Sequence, residues 1–219
     1  MIQVNMLAAE GVNFFRVLVV EGGGIGWLLW IISVVVLALG IHYFLNIRRM
    51  NILPGETLDH IRELFGAKQY REAIDLTAEQ NDFLSYTIHA ALSEAPHGYG
   101  AMERAMEEAA EERTTRMLRS IEWLNLIGNI GPMLGLLGTV WGMIGAFFTI
   151  VELGAPDPKA LAGDIGVALV TTLLGLGVSI PALSIYAIMR NRIDALTSEA
   201  ILAAQELIST FRPTRKRPA

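Results

Sequence analysis

Charge is absent from three long stretches of the chain and returns at almost every turn between them. Between Glu21 and Arg48 lie 26 residues without Asp, Glu, Lys or Arg, from Trp123 to Val151 another 29, and from Ile165 to Met189 another 25. A hydrocarbon core about 30 Å thick is crossed by about 20 helical residues. Each stretch therefore predicts one membrane-spanning helix, over residues 25–47, 123–151 and 165–189. The first has no basic leader, its apolar core is longer than that of a cleaved signal, and Arg48-Arg49 follows it as a stop-transfer flank. It is read as retained in the mature protein.

The segments between the spans carry helical periodicity. Residues 1–24 contain "VNFFRVLVV" ahead of Gly22-Gly23-Gly24, which predicts a short interfacial helix broken by glycines. The glycine run lacks the preceding strand and the following Lys-Ser/Thr of a phosphate loop. Within residues 48–122, Leu58, Ile61, Leu64 and Phe65 share one helical face and Tyr70, Ala73, Ile74 and Thr77 another, which predicts a helical hairpin. Pro96, Gly98 and Gly100 interrupt the pattern. "AMERAMEEAAEERTTRMLRSIEW" then resumes it, and no breaker separates this stalk from the second span. Residues 152–164 are expected to form a short loop. Residues 190–219 continue the third span, with Ile193, Leu196, Ala200, Ala203, Leu207 and Phe211 as a packing stripe, and end in the basic "RPTRKRPA". That tail suits anionic lipid headgroups or plain solvent. The fold class is an all-α membrane protein of three spans with long cytoplasmic helical extensions.

Orientation follows from the basic residues. Nine of the 17 lie in residues 48–122 and six in 190–219, with only Arg16 and Lys159 elsewhere. Positive residues stay on the cytoplasmic side, so the amino terminus is expected outside and the large loop and carboxyl terminus inside. The net charge of −5 comes from intermixed signs, which argues against a nucleic-acid partner. Without cysteine there are neither disulfides nor thiolate metal sites.

No hydrolase or metalloprotease motif is present, so no catalytic residue is assigned and no enzyme activity is expected. His42, His60, His89 and His97 have no ligand spacing, and neither a metal nor a cofactor is expected. The second span is more informative. Gly131, Gly135, Gly138, Gly142 and Gly145 recur by fours and threes, which lets another backbone approach closely. Thr139 lies beside them. In the third span Ala168, Thr172, Gly175, Ser179 and Ala182 repeat the pattern. A membrane threonine can also spend its hydroxyl on the carbonyl one turn back, and small residues at these steps also serve plain helix packing. The two spans run in opposite directions. At 1.5 Å per residue Thr139 and Thr172 lie about 18 and about 12 Å below the outer ends of their helices, so the hydroxyls can share a layer. That layer holds no carboxylate: Glu152 and Asp164 sit at the outer rim. If ions pass, a second chain supplies the acid, because ionisable groups inside a membrane are costly and mark ion pathways.

"GPMLGLLGTVWGMIGAFF" and "IGVALVTTLLGLGVSIPAL" resemble the MotA/TolQ/ExbB proton-channel family, and the large loop after the first span is closest to its ExbB/TolQ branch. The resemblance implies a ring of five copies around the single spans of two ExbD-, TolR- or MotB-like subunits, each carrying an intramembrane aspartate. It implies that Thr139 and Thr172, with Thr171 beside them, line the ion path. Gly135, Gly138, Gly142, Ala168, Gly175, Ser179, Pro132 and Pro181 are the positions it implies for contact with the partner helix. The ExbB/TolQ branch often carries an acid five positions before the third-span threonine. Val167 stands there instead, and Asp164 is the candidate rim acid. The implied function is a proton-conducting motor subunit that turns proton-motive force into mechanical work for an envelope or transport process. A non-conducting membrane scaffold and a sodium-driven motor remain as alternatives.

Overall fold

A computed structural model describes residues 23–153 and 158–212. The expected interfacial segment as far as residue 22 and the basic tail from 213 lie outside these. Among the described residues all regular structure is helical: α1 (Gly23–Asn46), α2 (Arg49–Ile52), α3 (Gly55–Gly66), α4 (Tyr70–Glu79), α5 (Phe83–Ser93), a 3-10 turn (Ala95–His97), α6 (Tyr99–Leu153) and α7 (Pro158–Ser209). Three of them, α1, α6 and α7, are long and apolar enough to cross a membrane. The stalk and the second span are one 55-residue helix, and the third span continues into its extension as one of 52. The loop expected over 152–164 is shorter, since α6 carries on to Leu153 and α7 begins at Pro158. Gly23 and Gly24 belong to the first turn of α1.

The chain divides into two units. In the first, the described residues as far as Ile41 combine with Glu122–Ala187; in the second, His42–Ile121 combine with the described residues from Ile188 onward. In the first unit small residues face inward and large ones outward. A sequence this apolar would bury its big side chains in water, yet here Trp141 is 72% exposed and Ile31, Val34, Met133, Phe147 and Ile180 are also exposed. Such a surface suits lipid or other subunits. On α1 the inward positions Gly26, Leu29, Val36 and Gly40 follow a helical stripe. A Cβ at Gly40 would meet the end of the Ile185 side chain at 2.9 Å, so α1 lies close to α7 there.

The second unit has an ordinary apolar core. Ile61, Leu64 and Phe65 of α3 and Ala73 and Thr77 of α4 are buried, while Leu58 and Ile74 are half-buried and Tyr70 is exposed. The hairpin is completed by α5, which packs on α4 and was not among the sequence expectations. Asp82 starts α5: its Oδ1 accepts the Ser85 N–H at 2.8 Å and its Oδ2 accepts the Ser85 hydroxyl at 2.8 Å. These bonds satisfy a helix-start donor that has no partner of its own. Behind the cap Phe83, Leu84, Thr87, Ile88, Ala91 and Leu92 are all buried. The glycine at 98, with φ of +91°, makes the turn into α6 that a side chain would resist. Met102, Met106 and Ala110 of α6 and Ile193, Ala200 and Leu207 of α7 are buried in the same unit. Phe211 closes the end of α7 against Phe65 and Tyr70, with ring centroids 5.4 and 4.9 Å away. Outside, Arg113 lies 4.8 Å over the Tyr86 ring. The Glu112 carboxylate that accepts the Tyr86 hydroxyl pushes that phenol above its usual range.

Asp82→Ala is expected to lower stability by about 1–2 kcal/mol, the usual cost of losing a helix cap. The loss should appear as faster amide exchange across residues 83–93 in the detergent-solubilised protein. Unchanged protection there would show that the cap contributes nothing.

Candidate functional site

The first unit is organised by one close crossing of α6 and α7. Pairs along it run in opposite senses: Gly128 meets Leu183, Gly131 meets Ser179, Gly135 meets Thr171, Thr172 and Gly175, and Gly138 meets Thr171. The two helices are therefore antiparallel. The approach is backbone to backbone. A Cβ on Gly175 would stand 2.6 Å from the Gly131 carbonyl oxygen and 3.0 Å from the Gly135 Cα, and one on Gly135 would stand 3.0 Å from the Thr171 carbonyl oxygen. Only glycine permits this without moving a helix.

Most of the residues expected to meet a partner helix also take part in this crossing. Gly135, Gly138, Gly175, Ser179 and Ala168 are buried in the single chain, and for the first four the neighbour is the chain's own α6 or α7. Pro132 and Pro181 sit within α6 and α7 and are half-buried. Lacking an N–H, they remove the donors that would close on the Gly128 and Gly177 carbonyls. Gly142 lines a cavity of about 530 Å³ with Gly23, Leu137, Trp141 and Thr171. A Cβ on Gly145 would meet nothing within 4 Å. The contact line thus begins at Gly128, which the sequence reading missed, and fades before Gly145. Its signal was present: Gly128 lies three residues before Gly131, the next step of the same series.

The three threonines separate by environment. Thr171, expected on the ion path, is only 2% exposed and fills the notch above Gly138. Its hydroxyl donates to the Ala168 carbonyl at 2.8 Å, with the Gly135 carbonyl at 3.4 Å. Thr171 is a packing residue, and it occupies the place in the small-residue line expected for Thr172. Thr172 is half-buried and reaches across to the Gly135 carbonyl at 3.3 Å, a long bond. Thr139 is half-buried and donates to the Leu136 carbonyl of its own helix at 2.7 Å. Thr172 therefore stands level with Gly135, one turn along α6 from Thr139, a rise of about 6 Å. Asp164 lies in α7, and its side chain and that of Val167 are outside the described residues.

No group of three His, Asp or Glu side chains among the described residues is placed to hold a metal ion. His42 faces Asn46, His89 faces Thr77 and His97 faces Glu94.

Gly175→Val is expected to destabilise the first unit by roughly 1–3 kcal/mol or more, because its side chain would have to displace backbone. Gly145→Ala is the matched control and should be near neutral. Thermal unfolding of both variants in one detergent checks the contrast, and equal midpoints would refute the close crossing.

Three comparisons place this geometry among known proteins. A family model described as the MotA/TolQ/ExbB proton channel family matches residues 77–200. An ExbB homolog of Methanothermobacter thermautotrophicus is 34% identical over 155 residues, which is 70% of this chain and 54% of that relative. The biopolymer transport protein ExbB of Xanthomonas campestris pv. campestris (strain B100) is 40% identical over 81 residues, which is 37% of this chain and 32% of that protein. The aligned part is thus about half or less of each relative's length. A chain of the solved C. jejuni MotAB structure has the same fold, with a TM-score of 0.57 at 16% identity, covering 99% of this chain and 92% of that one. With a model match across more than half of its residues, three apolar helices and this fold, the chain belongs to the MotA/TolQ/ExbB proton channel family.

Proposed function

We propose that the chain is the ion-conducting subunit of an inner-membrane motor. Copies form a ring, five by resemblance to the family, around two single-span ExbD/TolR/MotB-like subunits, and each partner brings an aspartate to the level of Thr139 and Thr172. The amino terminus faces the periplasm and the carboxyl terminus the cytoplasm. The names of the relatives, biopolymer transport protein ExbB and MotAB, support transport across the envelope as the work done and a MotB-like helix as the partner.

The observation that carries the reading is the unequal use of the hydroxyls. Thr171 is locked in the crossing, whereas Thr172 holds only a long bond and Thr139 bonds within its own turn. A threonine hydroxyl both donates and accepts. Facing an ionised carboxylate, Thr139 and Thr172 rotate to donate; facing the protonated acid, they accept a hydrogen bond from its O–H. Exchanging one such bond for another costs about 1 kcal/mol or less, so the acid is held in both states. Each charge falling through 100 mV releases about 2.3 kcal/mol, and a few per step suffice for a rigid-body advance of the partner.

The test is ion flux into vesicles containing the full chain and its partner under an imposed potential. Thr139→Ala and Thr172→Val are each expected to lower flux at least about tenfold, by analogy with the loss of a preorganised donor. Thr171→Val should lower thermal stability more than flux. Wild-type vesicles that never conduct would favour a scaffold, and full flux in the double variant would remove the threonines from the path.

A further inference from the structure

Below Thr139 the surface of α6 divides into two stripes. Trp123, Leu126, Ile130, Met133 and Leu137 follow steps of three and four and are all exposed apolar side chains. Glu122, Asn125, Asn129, Pro132, Leu136 and Thr139 lie on the neighbouring stripe, at steps of three, four, three, four and three. Helical periodicity therefore separates a face suited to lipid or subunit packing from one whose end nearest Glu122 carries oxygen and nitrogen. The polar stripe is also connected. The Asn129 amide donates to the Asn125 side-chain oxygen at 2.9 Å, the Asn125 amide to Glu122 Oε1 at 2.7 Å, and the Tyr186 hydroxyl of α7 to Glu122 Oε2 at 3.3 Å. Glu122 takes part in none of the ion pairs among the described residues. Pro132, between this cluster and Thr139, leaves the Gly128 carbonyl without its helical donor.

We infer that Glu122, Asn125 and Asn129, with Tyr186, form the inner mouth of the ion path, a site for a hydrated monovalent cation on its way between the aqueous phase and Thr139. The inference rests on the proposed channel function. At 1.5 Å per residue Glu122 lies about 25 Å along α6 from Thr139 and Asn129 about 15 Å, so the cluster occupies the end of the span remote from Leu153. A carboxylate there concentrates cations at the mouth, and the amide oxygens replace part of their hydration shell. The same residues serving only as headgroup anchors would affect stability and would leave the concentration dependence of flux unchanged.

The experiment uses the full chain with its single-span partner in uniformly oriented vesicles, with the cation titrated on the side that holds residues 48–122. Sodium is varied at fixed pH in one arm and pH at fixed sodium in the other, which identifies the cation. Glu122→Gln and Asn129→Leu are each expected to raise the cation concentration for half-maximal flux about fivefold, with the maximum changed less than about twofold. Glu122→Asp should restore most of the shift. Thr139→Ala should do the reverse, lowering the maximum and leaving half-saturation in place. Normal wild-type flux with unchanged half-saturation in Glu122→Gln and Asn129→Leu would overturn the mouth alone. No wild-type flux in either arm would overturn the channel function and the mouth with it.

Discussion

Everything in the membrane-embedded part of this chain depends on two backbones approaching one another where side chains are missing. Gly131, Gly135 and Gly175 bring peptide groups of α6 and α7 into direct contact. In lipid, apolar burial offers no advantage to helix association, so close van der Waals packing and interhelical polar contacts must provide it. The same approach brings the Thr172 hydroxyl within reach of the Gly135 carbonyl and presses Thr171 onto Gly138. A larger residue at 135 or 175 would separate the helices and dissolve the arrangement of hydroxyls. Packing and candidate chemistry are therefore two consequences of one contact.

Continuity is the second constraint. Between Tyr99 and Leu153, and between Pro158 and Ser209, the helical hydrogen bonding passes from one unit to the other without an intervening loop. The water-exposed turns are rich in Glu and Arg, and the apolar turns have none, yet alanine, leucine and methionine sustain helix in both. The prolines at 132 and 181 are tolerated because each removes only one backbone donor, and the carbonyls they release lie four residues earlier at glycines.

Much of this was legible in the residues. Charge-free length marked the three spans, and the absence of any breaker before Trp123 foretold the single helix of α6. Period alone did not tell Thr171 from Thr172. Adjacent positions on a helix differ by 100°, and which one enters the packing line depends on the rotation that the opposite helix imposes. The glycine series likewise announced a close approach without naming its partner, which within the chain is the crossing of α6 and α7. In α5 the missed signal was Asp82 followed by Phe83, Leu84, Thr87 and Ile88, a cap and an apolar stripe that a search for longer helices passes over. Glu122, Asn125 and Asn129 were overlooked because single polar residues at the end of a span read as interfacial until tertiary packing places Tyr186 against Glu122.

The division of labour in the proposed motor has a physical reason. A carboxylate built into the middle of α6 or α7 would have to enter lipid before any partner arrived, at a cost of about 2.5–3.5 kcal/mol even by the mildest measure. Five such subunits would face that cost together. Hydroxyls that bond to Leu136 and Gly135 of their own chain enter satisfied and carry no charge. If the acid arrives on another helix, the oxygen that will receive it is already in place, and each threonine need only exchange a carbonyl for a carboxyl group. In the proposed motor, a ring of such subunits would become polar only where the partner enters, which would confine ion movement to the moments when the two chains are engaged.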